Sequence, residues 1–302
     1  MSNNSVEQEP SETAVFAALR RAIAYKEFNN ERIGPDFLAE YFLPAHFRFF
    51  IKFRRLRANV KDKLHRFLPG LYEYVIARTA YFDAVFVDAL RKEVPQIVLL
   101  GAGYDSRAYR FVGLNQATRI IELDIASTQN RKKRCLRKEK IDIPGQVTLV
   151  PINFNTESLN EALEKAGYDK GKQTLFLWEG VSYYLQPEAV AETLEFVSHS
   201  AHHESAIVFD YTVSITEENI NWYGVREFSE TMKERHAAEE LLFAIDEGDT
   251  ESFLEQRGLK MVERLDNEEI EKAFLLNEDE SSIGHITGHF RFVLASPNDE
   301  YE

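Results

Sequence analysis

The stretch Ile97-Val-Leu-Leu-Gly-Ala-Gly-Tyr-Asp-Ser-Arg107, with Arg119-Ile-Ile-Glu-Leu-Asp124 behind it, decides the fold class. A short apolar run stops at a glycine pair and opens into a helix, and a second apolar run stops on an acid. This is the pattern of a strand-turn-helix-strand unit in a parallel sheet. Gly101 and Gly103 permit a tight turn and close approach of the backbone to a ligand. Glu122 and Asp124 lie 19 and 21 residues after Gly103, the spacing at which a carboxylate accepts from both hydroxyls of a ribose. Both acids share one face of the strand. Asp124, nearer the carboxyl end, is the better placed, and Glu122 is equally suited to pair with Arg107 or Arg119. Ser106 stands where the dinucleotide fingerprint has its third glycine, which speaks against NAD or FAD while leaving a nucleoside ligand in place.

Outward from this unit the pattern repeats. Strands are expected at 97–100, 119–123, 147–151, 174–178, 206–211, 260–264 and 290–295, with helices at 106–110, 127–140, 156–166, 187–200 and 253–257 between them. Alternation of this kind builds an α/β fold, a mainly parallel seven-stranded sheet with helices on both faces. Ahead of it, Ser11 caps a helix with Ala14, Ala18, Ala22 and Tyr25 on one side, Gly34-Pro35 ends it, and 71–92 forms a long helix. We expect a disordered tail at 1–10, a helical cap or lid at 11–92, and a ligand-binding core at 93–302 with an inserted lid at about 216–240.

The 302 residues are 44% hydrophobic, enough for a sizeable core. No apolar run approaches the ~20 residues of a membrane helix. The N-terminus lacks the basic and apolar segments of a secretory signal, and the single cysteine, Cys135, cannot form an internal disulfide, so a cytoplasmic location is expected. The net charge of −14 hides an asymmetry: residues 1–150 carry 25 Lys and Arg against 17 Asp and Glu, and the remainder 11 against 33. Eight of the cations fall between 44 and 66, together with Phe47, Phe49, Phe50 and Phe53. That segment reads as a solvated amphipathic hairpin, as a mobile lid that holds an anionic substrate, or as a membrane-surface element.

The run Val98-Leu-Leu-Gly-Ala-Gly-Tyr-Asp-Ser-Arg-Ala-Tyr-Arg110, followed by Glu122-Leu-Asp124 and by Trp178-Glu-Gly-Val-Ser-Tyr-Tyr-Leu185, resembles the leucine carboxyl methyltransferase family. Within it the chain looks closer to the bacterial branch that includes polyketide O-methyltransferases than to the eukaryotic enzymes that methylate a phosphatase tail. Ser11-Glu-Thr-Ala14, Arg21-Ala22, Asp36-Phe-Leu-Ala39, Phe253-Leu254 and Gly258-Leu259 extend the likeness over most of the chain. The resemblance implies a class I methyltransferase, Rossmann-like, that uses S-adenosyl-L-methionine and leaves S-adenosyl-L-homocysteine. By position it gives Arg78 the methionine carboxylate, Gly101 the turn against the methionyl group, Asp124 the ribose, Glu179 a place near the methionyl end, and Tyr184 the family's tyrosine. Without it, Arg78 reads as an exposed helix residue paired with Asp83 or Glu73, and Glu179 as a helix cap. Asn153-Phe154 stands where the family usually has Asp-Leu, so an amide carbonyl replaces the carboxylate that meets the adenine amino group, and a ring that can stack replaces the apolar cover.

Methyl transfer from a sulfonium needs alignment and exclusion of water more than acid or base chemistry. A carboxylate acceptor is already ionised, whereas a phenol or alcohol gains from a base. His236, Glu227 and Glu230, with Tyr223 and Trp222 as aromatic walls, are the candidates in the 216–240 insertion; none is singled out as the base. His285 and His289 have a four-residue spacing, but Gly284 and Gly288 interrupt the segment and no metal is expected. The acceptor is expected to be a small molecule, anionic or aromatic, and neither nucleic acid nor a membrane span is required. A short-chain NAD-dependent oxidoreductase is disfavoured by Ser106 and by the lack of a Tyr-x-x-x-Lys pair after the fourth strand; a nonenzymatic nucleoside- or RNA-binding module using Arg48 to Arg66 is the other alternative.

Overall fold

The structure, a computed structural model, describes residues 11–28, 33–235 and 241–298. The expected tail at 1–10 and His236, with the rest of 236–240, lie outside the described residues. Helix α1 (Glu12–Phe28) starts as expected at Ser11, whose Oγ accepts from the Ala14 amide at 3.0 Å. After a 3-10 turn at Ala39–Phe42, the helical pattern of 44–66 resolves into α2 (Ala45–Lys52) and α3 (Arg54–Phe67), separated by Phe53 in extended conformation. Then follows α4 (Leu71–Arg91).

The remaining elements are β1 (Gln96–Leu100), the single turn α5 (Arg107–Arg110), β2 (Arg119–Asp124), α6 (Ala126–Lys138), β3 (Val147–Pro151), α7 (Leu159–Ala166), β4 (Thr174–Trp178), α8 (Pro187–Ser200), β5 (Ala206–Thr212), α9 (Val225–Arg235), α10 (Thr250–Glu255), β6 (Leu259–Leu265), α11 (Asn267–Phe274) and β7 (Phe290–Pro297). One sheet holds all seven strands in the order β3-β2-β1-β4-β5-β7-β6; β1 to β5 run parallel and β7 lies antiparallel between β5 and β6. Helix α7 starts later than the sequence suggests. The amides of Thr156 and Glu157 close turns on the Asn153 carbonyl, and the Ser158 hydroxyl then caps the helix at the Glu161 amide.

Central strands β1 and β4 are buried along their whole length, as a sheet covered on both faces requires. Alternate side chains divide between two apolar layers. Ile97, Leu99, Leu175, Leu177 and Val208 pack with α1 and α4, while Val98, Leu100, Ile121, Phe176 and Trp178 pack with α7 and α8. The expected cap therefore separates into unlike parts: α1 and α4 are a layer of the core, and α3 buries no residue at all. Among the described residues no helix is long and apolar enough to cross a membrane.

Candidate active site

The glycine turn lies beyond the carboxyl end of β1, where ligands of doubly wound sheets bind. Gly101 has φ +69°, and a Cβ there would come within 2.5 Å of Val181 Cγ2, so only glycine fits. Gly103 has φ +46°, with Ala14 of α1 over it, and its amide donates to Asp124 Oδ2 at 2.5 Å. Asp124 Oδ1 accepts from the Ile125 amide at 2.7 Å. Burial nevertheless outweighs these two bonds and raises the Asp124 carboxyl to about 6. A carboxylate held against a glycine turn and short of partners for its charge is suited to accept from hydroxyl groups.

Behind the turn runs a chain of alternating buried charges. Arg21 meets Asp36 at 2.9 Å; Arg110 grips Asp83 through two 2.7 Å bonds; Arg107 bridges Asp83 at 2.7 Å and Glu179 at 2.6 Å. Ser106 Oγ donates to Asp36 Oδ1 at 2.8 Å and accepts from Arg110 Nε at 2.8 Å. The departure from the third glycine is thereby explained: the hydroxyl links the turn to α1 through Asp36.

Arg78 is buried, not the exposed helix residue that its position also allowed. Its Nε donates to Glu179 Oε1 at 3.0 Å, and its Nη1 to the Tyr183 hydroxyl at 3.1 Å and Asp210 Oδ2 at 3.2 Å. Gly180 leaves the space for that guanidinium; a Cβ there would sit 2.8 Å from Nη1. Burial raises the Glu179 carboxyl, but Arg107 and Arg78 outweigh it and hold the group below its ordinary range. For Asp210, burial prevails over Arg78 and the Gly180 amide, and the carboxyl is raised. Arg20 is 6% exposed, forms no ion pair among the described residues, donates from Nη1 to the Phe16 carbonyl at 3.2 Å, and leaves Nε unsatisfied. Burial lowers its guanidinium to about 10, and Tyr184, Arg78 and Glu73 are its nearest charge partners.

The family model described as leucine carboxyl methyltransferase matches residues 14–198. The chain belongs to that family. A Bacillus subtilis protein with the provisional name of an S-adenosyl-L-methionine-dependent methyltransferase, YktD, is 30% identical over 217 residues, 71% of this chain and 70% of its own. A Mycolicibacterium smegmatis protein with a similar provisional name is 27% identical over 91% of this chain and 92% of its own. Among solved structures, a provisionally assigned methyltransferase from Thermobifida fusca superposes with a TM-score of 0.56 at 13% identity over 99% of both chains, and a Streptomyces avermitilis protein with 0.59 at 12% over 80% and 90%. The fold is that of the class I methyltransferases. The leucine carboxyl methyltransferase relatives make the chain an S-adenosyl-L-methionine-dependent methyltransferase.

Within this member of the family the predicted site residues fall into two groups. Arg78, Gly101, Gly103, Asp124 and Glu179 line one edge of the sheet, and Asn153 with Phe154 follows β3 beside them, the Ile152 amide donating to the Asp124 carbonyl at 3.0 Å. Tyr184 ends a 3-10 turn (Ser182–Tyr184) beside Tyr183, ring centroids 4.7 Å apart. Glu122 lies apart from them: the residue is 1% exposed and its carboxylate is bound to Lys132 Nζ at 2.7 Å, an inward pair. Neither expected partner reaches it, since Arg107 is bound as described and Arg119 donates to the carbonyls of Ala166 and Gly167. His285 pairs with Glu271 at 2.8 Å, and His289 is buried beside Phe228 and Phe290, where desolvation lowers its imidazole to about 3. Sequence reasoning missed Arg20, Tyr183 and Asp210. Asp210 carried a signal, a lone charge in the apolar run Ile207-Val-Phe-Asp-Tyr211.

Proposed function

We propose that this enzyme transfers the methyl group of S-adenosyl-L-methionine to an oxygen of a small organic acceptor, an anionic or aromatic carboxylic acid or phenol. The observation that carries the cofactor assignment is the pairing of Asp124, set against the glycine turn, with two buried guanidiniums, Arg78 and Arg20, at the other end of the site. One end suits the ribose hydroxyls and the other the methionine carboxylate. The unsatisfied Nε of Arg20 fits that ligand, and the absence of a side chain at Gly180 is what admits the Arg78 guanidinium. In this reading Asn153 accepts from the adenine amino group through its amide oxygen, Phe154 covers the ring, Glu179 fixes Arg78 near the methionyl end, and Tyr184 stands beside the methionyl chain.

The bound cofactor supplies an activated methyl on a sulfonium. The protein's own residues would orient it, Arg78 and Arg20 holding the methionine carboxylate and Asp124 the ribose hydroxyls. Held there, it would supply a methyl that an acceptor oxygen could take in line, with sulfur leaving as the neutral thioether. A carboxylate acceptor loses no proton, whereas a phenol releases one. Isothermal titration tests the reading directly: S-adenosyl-L-homocysteine is expected to bind and NAD to give no heat. Absence of binding by the homocysteine product overturns it.

A further inference from the structure

Helices α2 and α3 stand outside the helical layer. Ile51 is the one buried residue of α2. Where the two helices meet, Phe49, Phe50 and Phe53 are 58%, 41% and 46% exposed. Their rings touch, with centroids 6.0 Å apart for Phe49 and Phe50 and 5.3 Å for Phe49 and Phe53. They form a single apolar knob in water, which is unfavourable unless something covers it. Of the cations around it, Arg48 and Lys61 have acidic partners, Glu139 at 2.6 Å and Glu27 at 3.1 Å. Lys52, Arg54, Arg55, Lys63 and Arg66 are exposed and have no acidic partner among the described residues.

Folding adds a second basic run to the first. The Arg48–Glu139 pair ties α2 to the end of α6, where Arg134, Arg137, Lys138 and Lys140 are exposed. Two cationic segments far apart in sequence thus meet through this pair, the aromatic knob beginning at the residue after Arg48, while residues 151–302 carry the acidic excess. We propose that this face docks the protein on an anionic lipid bilayer, the Phe49–Phe50–Phe53 knob entering the interface and the cations of α2, α3 and α6 lying against lipid phosphates. Amphipathic elements that join exposed rings to Lys and Arg bind such surfaces by both routes at once. Charge screening over about 8–10 Å lets the basic face approach a negative surface although the whole molecule is acidic. A nucleic acid fits less well, because the rings meet edge to face, at 74° and 65°, and so cover one another's stacking surfaces.

The test is co-sedimentation of the full chain with sucrose-loaded vesicles of phosphatidylcholine alone or with phosphatidylglycerol added. Partition onto the anionic vesicles is expected to be at least about tenfold stronger, and to weaken as salt is raised. Phe49→Ser with Phe53→Ser, and separately Lys52→Glu with Arg54→Glu and Arg55→Glu, are each expected to reduce it about tenfold or more. Unchanged affinity for S-adenosyl-L-homocysteine shows that the variants are folded. Equal partition onto both vesicle types, or no effect of either set of substitutions, overturns the proposal. So does the face binding an RNA oligomer, or a second copy of the chain in size-exclusion chromatography, while anionic vesicles are ignored.

Discussion

Asp124 accepts two backbone amide bonds and is still raised to about 6, so its ionised form lacks partners that ribose hydroxyls would supply. In the cofactor-free protein its folded value exceeds the ordinary Asp value. The stability it contributes is therefore present at acid pH and lost as the pH rises through about 6. Cofactor binding has the opposite preference, because the hydroxyls donate to the charged form. Affinity for S-adenosyl-L-homocysteine is expected to fall about tenfold per pH unit below 6, and Asp124→Asn to flatten that dependence. Asp124→Ala should weaken binding by roughly 2–4 kcal/mol, two charge-assisted bonds. A flat wild-type profile in calorimetry across the acid range would refute the placement of the ribose.

Arg20 and Arg78 are distinguishable by experiment because their apo environments differ. Arg78 is compensated by Glu179 and Asp210; Glu179 keeps Arg107, but Arg78→Met strands the buried Asp210 carboxylate and is expected to cost about 3–5 kcal/mol of stability. Arg20 forms no such ion pair among the described residues, and its Nε is unsatisfied. Arg20→Met should leave the melting temperature of the free protein unchanged or higher, while weakening S-adenosyl-L-homocysteine by about 1.5–3 kcal/mol and adenosine not at all. Equal loss for both ligands would remove Arg20 from the methionine end.

At the scale of elements, the strand–turn–helix unit around Gly101 behaves as its sequence reads. Alternating apolar runs have a period that needs no distant information, and a tight turn with a left-handed φ selects glycine locally. Gly101→Ala is expected to strain the turn and collide with Val181, lowering both the melting temperature and cofactor affinity; retention of wild-type binding would show that the turn yields. What the local pattern does not reveal is why Asp105, Arg107 and Arg110 follow the glycines. They serve an ion-pair chain whose partners Asp36, Asp83 and Glu179 come from three other parts of the chain. The role of Glu122 was likewise invisible: strand alternation puts it on the face of Asp124, and only the packing of α6 brings Lys132 to it.

For the whole molecule, the apolar layer formed by α1 and α4 is continuous with the sheet, so the N-terminal segment is part of the folding unit. Removing residues 1–43 takes away the buried Ala18, Leu19, Ala22 and Ile23 together with Arg20 and Arg21. The truncated chain is expected to lose cooperative thermal unfolding and cofactor binding together; a sharp transition in circular dichroism with binding intact would show that the core stands alone.

The sequence by itself determined the strands, the glycine turn, Asp124 and the family, because each rests on short-range spacing, residue size or a contiguous motif. Tertiary structure alone decided that Arg78 is buried against Asp210 and Tyr183, that Arg20 lies near Arg78 with no ion pair of its own among the described residues, and that Glu122 turns inward to Lys132. Charge pairing in a low-dielectric interior depends on which distant elements meet, and one chain read in order holds no record of that distance.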